Sequence, residues 1–199
     1  MIETTRIILR PWNADDAESL YKYASNPAIG PAAGWPPHNS IEESREIIHT
    51  VFAAPEVYAV VLKSTGQPVG CCGLMTADSM HAQDMANNEA EIGYWIGEEY
   101  WGNGLIPEAV EALLHHGFHN LNLAAVWCAY YDGNSKSKRV CEKAGFRFHH
   151  TTHGITTPLG DVRTEHHYRM TRQDFDSRNS TSAHNAPAPN RHTSDKHQP

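Results

Sequence analysis

The chain has 199 residues, 40% of them hydrophobic and 20% charged, with a formal net charge of −7, which suits one domain with room for a core. Acids and bases are interspersed and the balance is acidic, which excludes nucleic acid as the main partner, because phosphate backbones are bound by basic surfaces. No apolar run is long enough to cross a bilayer and Met1 opens no signal-peptide pattern, so no membrane partner is expected and the expected location is cytoplasmic.

In chain order, Thr5 to Arg10 alternates around Ile7 and Leu9 and reads as a strand closed by Pro11. Asn13, with Asp16 three residues on, reads as a helix cap, and the helix carries Ala17, Leu20, Tyr21 and Ala24 inward before Asn26-Pro27. The Gly-, Pro- and Ala-rich stretch from Ile29 to Asn39 reads as loop and contains Trp35. Ser40 to Glu43 resembles a capping box and opens a second helix through Phe52. Val57 to Leu62 and Val69 to Met75 form a hairpin around Ser64 to Gln67, and a long polar loop follows from Thr76 to Asn88.

Glu91 to Ile96 is bounded by glycines and reads as a strand. Gly102-Asn103-Gly104 then turns into a helix whose first turn holds Pro107. Ile106, Val110, Leu113, Leu114 and Phe118 give that helix one apolar face. A glycine turn feeding a helix leaves free N–H groups at the positive end of the helix dipole, where phosphate oxygens can approach the backbone. The reading is a phosphate cradle; the alternative is a plain strand-to-helix turn. A dinucleotide fingerprint would need a glycine where Pro107 stands, and a P-loop would need a Lys after Gly104.

Ala124 to Tyr130 reads as a further strand, Asn134 to Ala144 as a short helix ended by Gly145, and Phe146 to Thr152 with Arg163 to Thr171 as a closing hairpin around Gly154 to Gly160. From Ser177 to Pro199 the chain is polar and is expected to be a disordered tail after a domain spanning 1–176. Cys71, Cys72, Cys128 and Cys141 form no C-x-x-C pair and read as small buried hydrophobes. Fourteen histidines include the pairs His115-His116, His149-His150 and His166-His167. Neighbours on a strand point to opposite faces, so these pairs are not expected to chelate, and no metal is expected.

Several stretches carry a family resemblance. Asn134-Ser-Lys-Ser137 through Lys143-Ala-Gly145-Phe146 is similar to the N-x-x-S-x-x-x-x-x-K-x-G-F segment of the RimJ/RimL-type branch of the GNAT N-acetyltransferase superfamily. Thr5-Arg-Ile-Ile-Leu-Arg-Pro-Trp12 looks like the opening strand of that branch, Glu91-Ile-Gly-Tyr-Trp95 its fourth strand, and Tyr100-Trp-Gly-Asn-Gly104 its pyrophosphate loop, with Glu99 at the usual Gln/Arg position. The resemblance spans Thr5 to about Phe175.

It implies an α/β GNAT fold: a mixed, mostly antiparallel central sheet with a splayed strand pair, flanked by about four helices. It also implies an acetyl-CoA-dependent acyltransferase acting on a primary amine such as a protein N-terminal α-amino group. The implied cofactor-binding residues are Tyr94, Trp95, Ile96, Trp101, Gly102, Asn103, Gly104, Leu105 and Asn134, with a backbone amide near Trp95 facing the thioester carbonyl. Glu91 takes the place of the general base, with Glu89 its rival, and Ser137 that of the hydroxyl that protonates the departing thiolate. Trp35 is expected to wall the acceptor site. The alternatives are acetylation of a small amine (amino acid, polyamine or antibiotic) and a non-catalytic acyl-CoA-binding module. Oligomeric state is left open, a homodimer being the common arrangement for small domains.

Overall fold

The computed structural model describes residues 1–76 and 85–184. The strands are β1 (Ile2–Glu3), β2 (Ile7–Arg10), β3 (Val57–Leu62), β4 (Pro68–Thr76), β5 (Glu89–Ile96), β6 (Ala125–Tyr131), β7 (Arg147–Thr156) and β8 (Val162–Thr171). They form one mixed sheet in the order β1-β2-β3-β4-β5-β6-β8-β7. Every neighbouring pair is antiparallel except β5 and β6.

Helices α1 (Ala17–Ala24) and α2 (Ile41–His49) cover one face, where Trp12, Ala17, Leu20, Ala24 and Ile48 pack on Ala59, Val61 and Cys71. Helices α3 (Leu105–His115), α4 (Ser135–Ala144) and α5 (Arg172–His184) belong to the other. There Val110, Leu113, Phe118 and Phe175 close over Leu74, Ile92, Val126 and Met170. The apolar residues expected inward are all buried, Ile106, Val110, Leu113 and Leu114 on α3 and Phe118 just past its end. The helix begins at Leu105 behind Gly104, whose left-handed φ of 75° makes the turn, and ends in a π-turn at His116–Asn120. The capping serine of α2 accepts from the Glu43 amide at 3.0 Å, and Gly145 ends α4 in the left-handed conformation.

The structure departs from the sequence reading in three places. A 3-10 turn, Gly30–Ala33, sits within the stretch read as loop. The boundary expected at Ser177 falls inside α5, which runs to His184; Arg178 there donates to Glu111 and to the Ala144 carbonyl. The rest of the expected tail, 185–199, lies outside the described residues, as does most of the polar loop, 77–84. Finally, His149 and His150 do not face apart: their Nδ1 atoms are 2.8 Å from one another, because the register of β7 shifts between Phe148 and His150.

Candidate active site

The site is built on the one parallel pairing. β5 and β6 are in register at Glu89–Ala125, Ala90–Val126 and Glu91–Trp127, and no further. Beyond that point each strand follows its own antiparallel partner. β5 stays paired with β4 as far as Ile96, and β6 with β8 as far as Tyr131. The two halves of the sheet therefore part, with Gly93 to Ile96 on one side of the opening and Cys128 to Tyr131 on the other.

At the far end of β5 the chain turns through Gly102 and Gly104, both left-handed at φ 78° and 75°. Among the described residues the amides of Gly102, Gly104, Leu105 and Ile106 donate to no backbone carbonyl, so four donors stand free at the start of an 11-residue helix. The loop is braced from behind by Arg6. Its guanidinium donates to the carbonyls of Asn103 (2.8 Å) and Gly104 (3.1 Å) and pairs with Glu108 at 2.6 Å. Trp101 is tied by its indole N–H to the Ile96 carbonyl at 3.1 Å, and Lys136 of α4 lies 3.2 Å above its ring. The anomalous acid of the loop, Glu99, accepts from Tyr23 (3.0 Å) and Lys22 (3.3 Å). The Tyr23, Tyr100 and Lys22 hydrogen bonds hold its carboxyl below the ordinary range.

Where the strands begin to part stand the carboxylates. Glu89 accepts from Trp127 Nε1 at 2.6 Å and pairs with Arg169. Burial pushes its carboxyl up, but these bonds and the Arg169 charge outweigh burial and keep it ionised. Glu91, 9% exposed, has no hydrogen-bond partner among the described residues. Burial and the charge of Glu165 on β8 raise its carboxyl to about 7. Burial does the same to Glu165, also about 7, and His167 Nε2 lies 3.4 Å from the Glu165 carboxylate.

Across the opening α4 presents a hydroxyl pair. Tyr94 leaves β5 on the α3/α4 side, and its OH is 2.9 Å from Ser137 Oγ. Burial above all keeps the phenol protonated. Behind them Cys128 and Cys141 lie 2.8 Å apart, and all four cysteines are buried and free. Asn134 caps α4, accepting from the Ser137 amide at 3.1 Å, and donates to the Ala32 carbonyl at 3.2 Å. Trp95 leaves β5 on the other face, between Trp12 (6.4 Å, stacked) and Trp35 (6.1 Å, edge-on). A cavity of about 300 Å³ opens beside Asn134, lined by Ala32, Tyr131, Asp132, Lys136 and Arg163 among others.

The expected residues thus fall into three groups along one opening: Trp101 to Leu105 at the loop, Glu91 at the fork, and Tyr94 with Ser137 and Asn134 on the α4 side. Trp35 packs against Trp95 rather than standing free, and the Ile96 carbonyl is already occupied by Trp101. Sequence reasoning missed Arg6, Tyr131, Glu165 and His167. Arg6 carried no local signal. The Glu165-His-His167 run shows in the sequence only as a histidine pair. Among the described residues no three His, Cys, Asp or Glu side chains are placed to hold a metal, and no helix is long and apolar enough to cross a membrane.

Residues 6–147 match the family model of the acetyltransferase (GNAT) domain. The chain belongs to the GNAT family of acetyltransferases, whose donor is acetyl-CoA. Among its relatives is the uncharacterized N-acetyltransferase p20 of Bacillus licheniformis, 28% identical over 149 residues, 72% of this chain and 80% of that one. The ribosomal-protein-serine acetyltransferase of Escherichia coli is 37% identical over 60 residues, 30% of this chain and 34% of that one. The crystal structure of a GCN5-related N-acetyltransferase from Brucella melitensis superposes with a TM-score of 0.75 over 94% of this chain and 85% of that one, at 21% identity.

Proposed function

We propose that the enzyme acetylates a primary amine, a protein N-terminal α-amino group being the acceptor its chemistry favours. The observation that carries this is Glu91: a buried carboxyl without a hydrogen-bond partner, held at about 7, at the fork of the strands. An α-ammonium titrates near ~8 and a lysine near ~10.4. Transfer to Glu91 is therefore uphill by about one unit, roughly 1.4 kcal/mol, for the first and by more than three units for the second. The branch of the family that includes relatives named for ribosomal-protein acetylation supports the same acceptor.

In this reading the free amides of Gly102, Gly104, Leu105 and Ile106 hold the cosubstrate's diphosphate, and Arg6 fixes the loop that presents them. Lys136 adds a positive charge beside the loop. When bound, acetyl-CoA supplies the activated acetyl group. Glu91 takes one proton from the ammonium, freeing the nitrogen lone pair to attack. Ser137, 2.9 Å from the Tyr94 hydroxyl, gives its proton to the leaving thiolate, and the second proton shed by the nitrogen as the amide forms restores the hydroxyl pair, while the proton held by Glu91 passes to solvent. Net, an ammonium and a thioester become an amide, a thiol and one released proton.

The test is turnover of acetyl-CoA by the full chain against peptides of varied N-terminal residue and a panel of amino acids, polyamines and aminoglycosides. N-terminal peptides should be the better acceptors. Turnover confined to small amines would overturn the acceptor assignment, and none at all would leave a binding module.

A further inference from the structure

Glu165 has no part in the reaction as written above, yet it is 5% exposed and bears directly on Glu91. Two carboxylates withdrawn from water repel one another, and each loses hydration. A shared proton or an intervening cation relieves such a pair. Of the protein's own cations, Arg169 is taken by Glu89, and Arg163 by Asp161 at 2.7 Å and by the Pro31 carbonyl, the Arg163 guanidinium lying 5.1 Å over the Tyr131 ring. His167 flanks Glu165 at 3.4 Å, backed by the Thr152 hydroxyl at 3.2 Å and stacked on His150 at 4.3 Å.

A third group stands on the same face of the sheet. Tyr131 is the cross-strand partner of Glu165, and Glu91 is in register with Trp127, four residues earlier on β6, so all three side chains leave the sheet on one side. The charges of Glu165 and Glu91, with that of Arg163 opposing, reach the Tyr131 phenol, whose hydroxyl has no hydrogen-bond partner among the described residues. Tyr131 also lines the cavity that opens to solvent beside Asn134. An alkylammonium ion has three N–H donors and one charge. Two carboxylates and a phenol oxygen are a matching set of acceptors.

We propose that Glu165 and Tyr131 complete, with Glu91, a seat for a primary ammonium ion, so that the acceptor docks as a cation before it is deprotonated. This rests on the reading of Glu91 as the base. The seat selects charge rather than shape: a neutral isostere leaves two buried acids without a counter-ion. Both carboxylates must be ionised to hold the cation, so binding strengthens as pH rises through about 7 and weakens again once the amine itself loses its proton.

The experiment is calorimetry on the full chain saturated with CoA, so that no turnover occurs, with n-hexylammonium chloride and neutral n-hexanol as probes. Hexylammonium should bind about tenfold tighter or more at about pH 8 than at about pH 6, while hexanol shows no such dependence. Glu165→Gln should weaken hexylammonium by about tenfold, and Tyr131→Phe by a few-fold. Should Glu165→Gln fold poorly, the wild-type pH profile still decides. Hexylammonium binding no tighter than hexanol, or equally well to wild type and Glu165→Gln, would overturn the seat. If that happened while peptides were still acetylated, the transferase reading would survive without it. Charge-selective binding with no amine ever acetylated would leave the seat standing and remove the transferase.

Discussion

Glu89 and Glu91 stand two residues apart on the same face of β5, yet only Glu89 is neutralised, by Arg169 and the Trp127 indole. That asymmetry divides their work. A carboxylate locked in an ion pair is a poor proton acceptor, whereas one raised to about 7 and unpartnered is poised for it.

Glu91→Gln should therefore bind acetyl-CoA normally and lose roughly a hundredfold in turnover at neutral pH, the defect shrinking as the amine deprotonates unaided. Glu89→Gln should instead leave Arg169 without its counter-charge and lower stability by about 3 kcal/mol. Urea unfolding and turnover against pH on both variants separate the two. Full activity in Glu91→Gln would move the base elsewhere.

Ser137→Ala and Tyr94→Phe interrupt the hydroxyl pair that faces the leaving group. Each should lower kcat by roughly tenfold or more without raising the acetyl-CoA KM in proportion, and alkali should not restore it, since no amine proton is at issue. A defect in Ser137→Ala that vanished at high pH would argue against leaving-group protonation.

Gly104→Val attacks the loop through its backbone. A Cβ at Gly104 would meet nothing nearer than Arg6 Nη2 at 3.5 Å, so the cost comes from forcing a branched residue to φ 75°. Acetyl-CoA affinity should fall at least about tenfold, and the strain should lower the melting temperature by a few degrees without abolishing the fold. Arg6→Met, which releases the Asn103 and Gly104 carbonyls, should raise the acetyl-CoA KM a few-fold and leave kcat unaltered. Isothermal titration at wild-type affinity in Gly104→Val would remove the loop from cosubstrate binding.

Stability should fall as pH rises. Burial lifts Glu91 and Glu165 from 4.5 to about 7 in the folded protein. Their stabilising contribution is whole below the unfolded value and is lost as pH climbs through about 7, because folding must then keep two buried charges. Asp174, held below its ordinary value by the Thr171 hydrogen bonds, works oppositely and only in acid. Thermal unfolding should show a maximum near about pH 4–5, and Glu165→Gln should gain on the order of 2 kcal/mol at about pH 8. A flat profile between about pH 5 and 8 would contradict the burial of these two acids.

What lay within one stretch of chain was legible beforehand. Gly102-Asn103-Gly104 and the apolar face of α3 announced the loop and its helix, and Asn134 with Gly145 marked both ends of α4. What depends on pairing between strands was not. Arg169 meets Glu89 only because β6 and β8 bring positions 80 residues apart together, and nothing local singles out Glu165 as facing Glu91. The His149-His150 contact arises from a register shift that strand alternation cannot foresee. Helix α5 continues past Ser177 because its polar segment is secured by Phe175 and an Arg178 ion pair rather than by an apolar face.

The three-residue register between β5 and β6 has a mechanical side as well. It makes the sheet two leaves joined at one end, stapled by Glu89 to Trp127 and Arg169. Backbone groups of Gly93 to Ile96 that face β6 have no strand to pair with, so in the free protein they should exchange their hydrogens readily. A ligand lying along the opening acts as a splint between the leaves, slowing that exchange and, at about a hundred times its Kd, adding about 2.7 kcal/mol to the whole molecule. Hydrogen exchange at this hinge would therefore register occupancy before any acceptor is known.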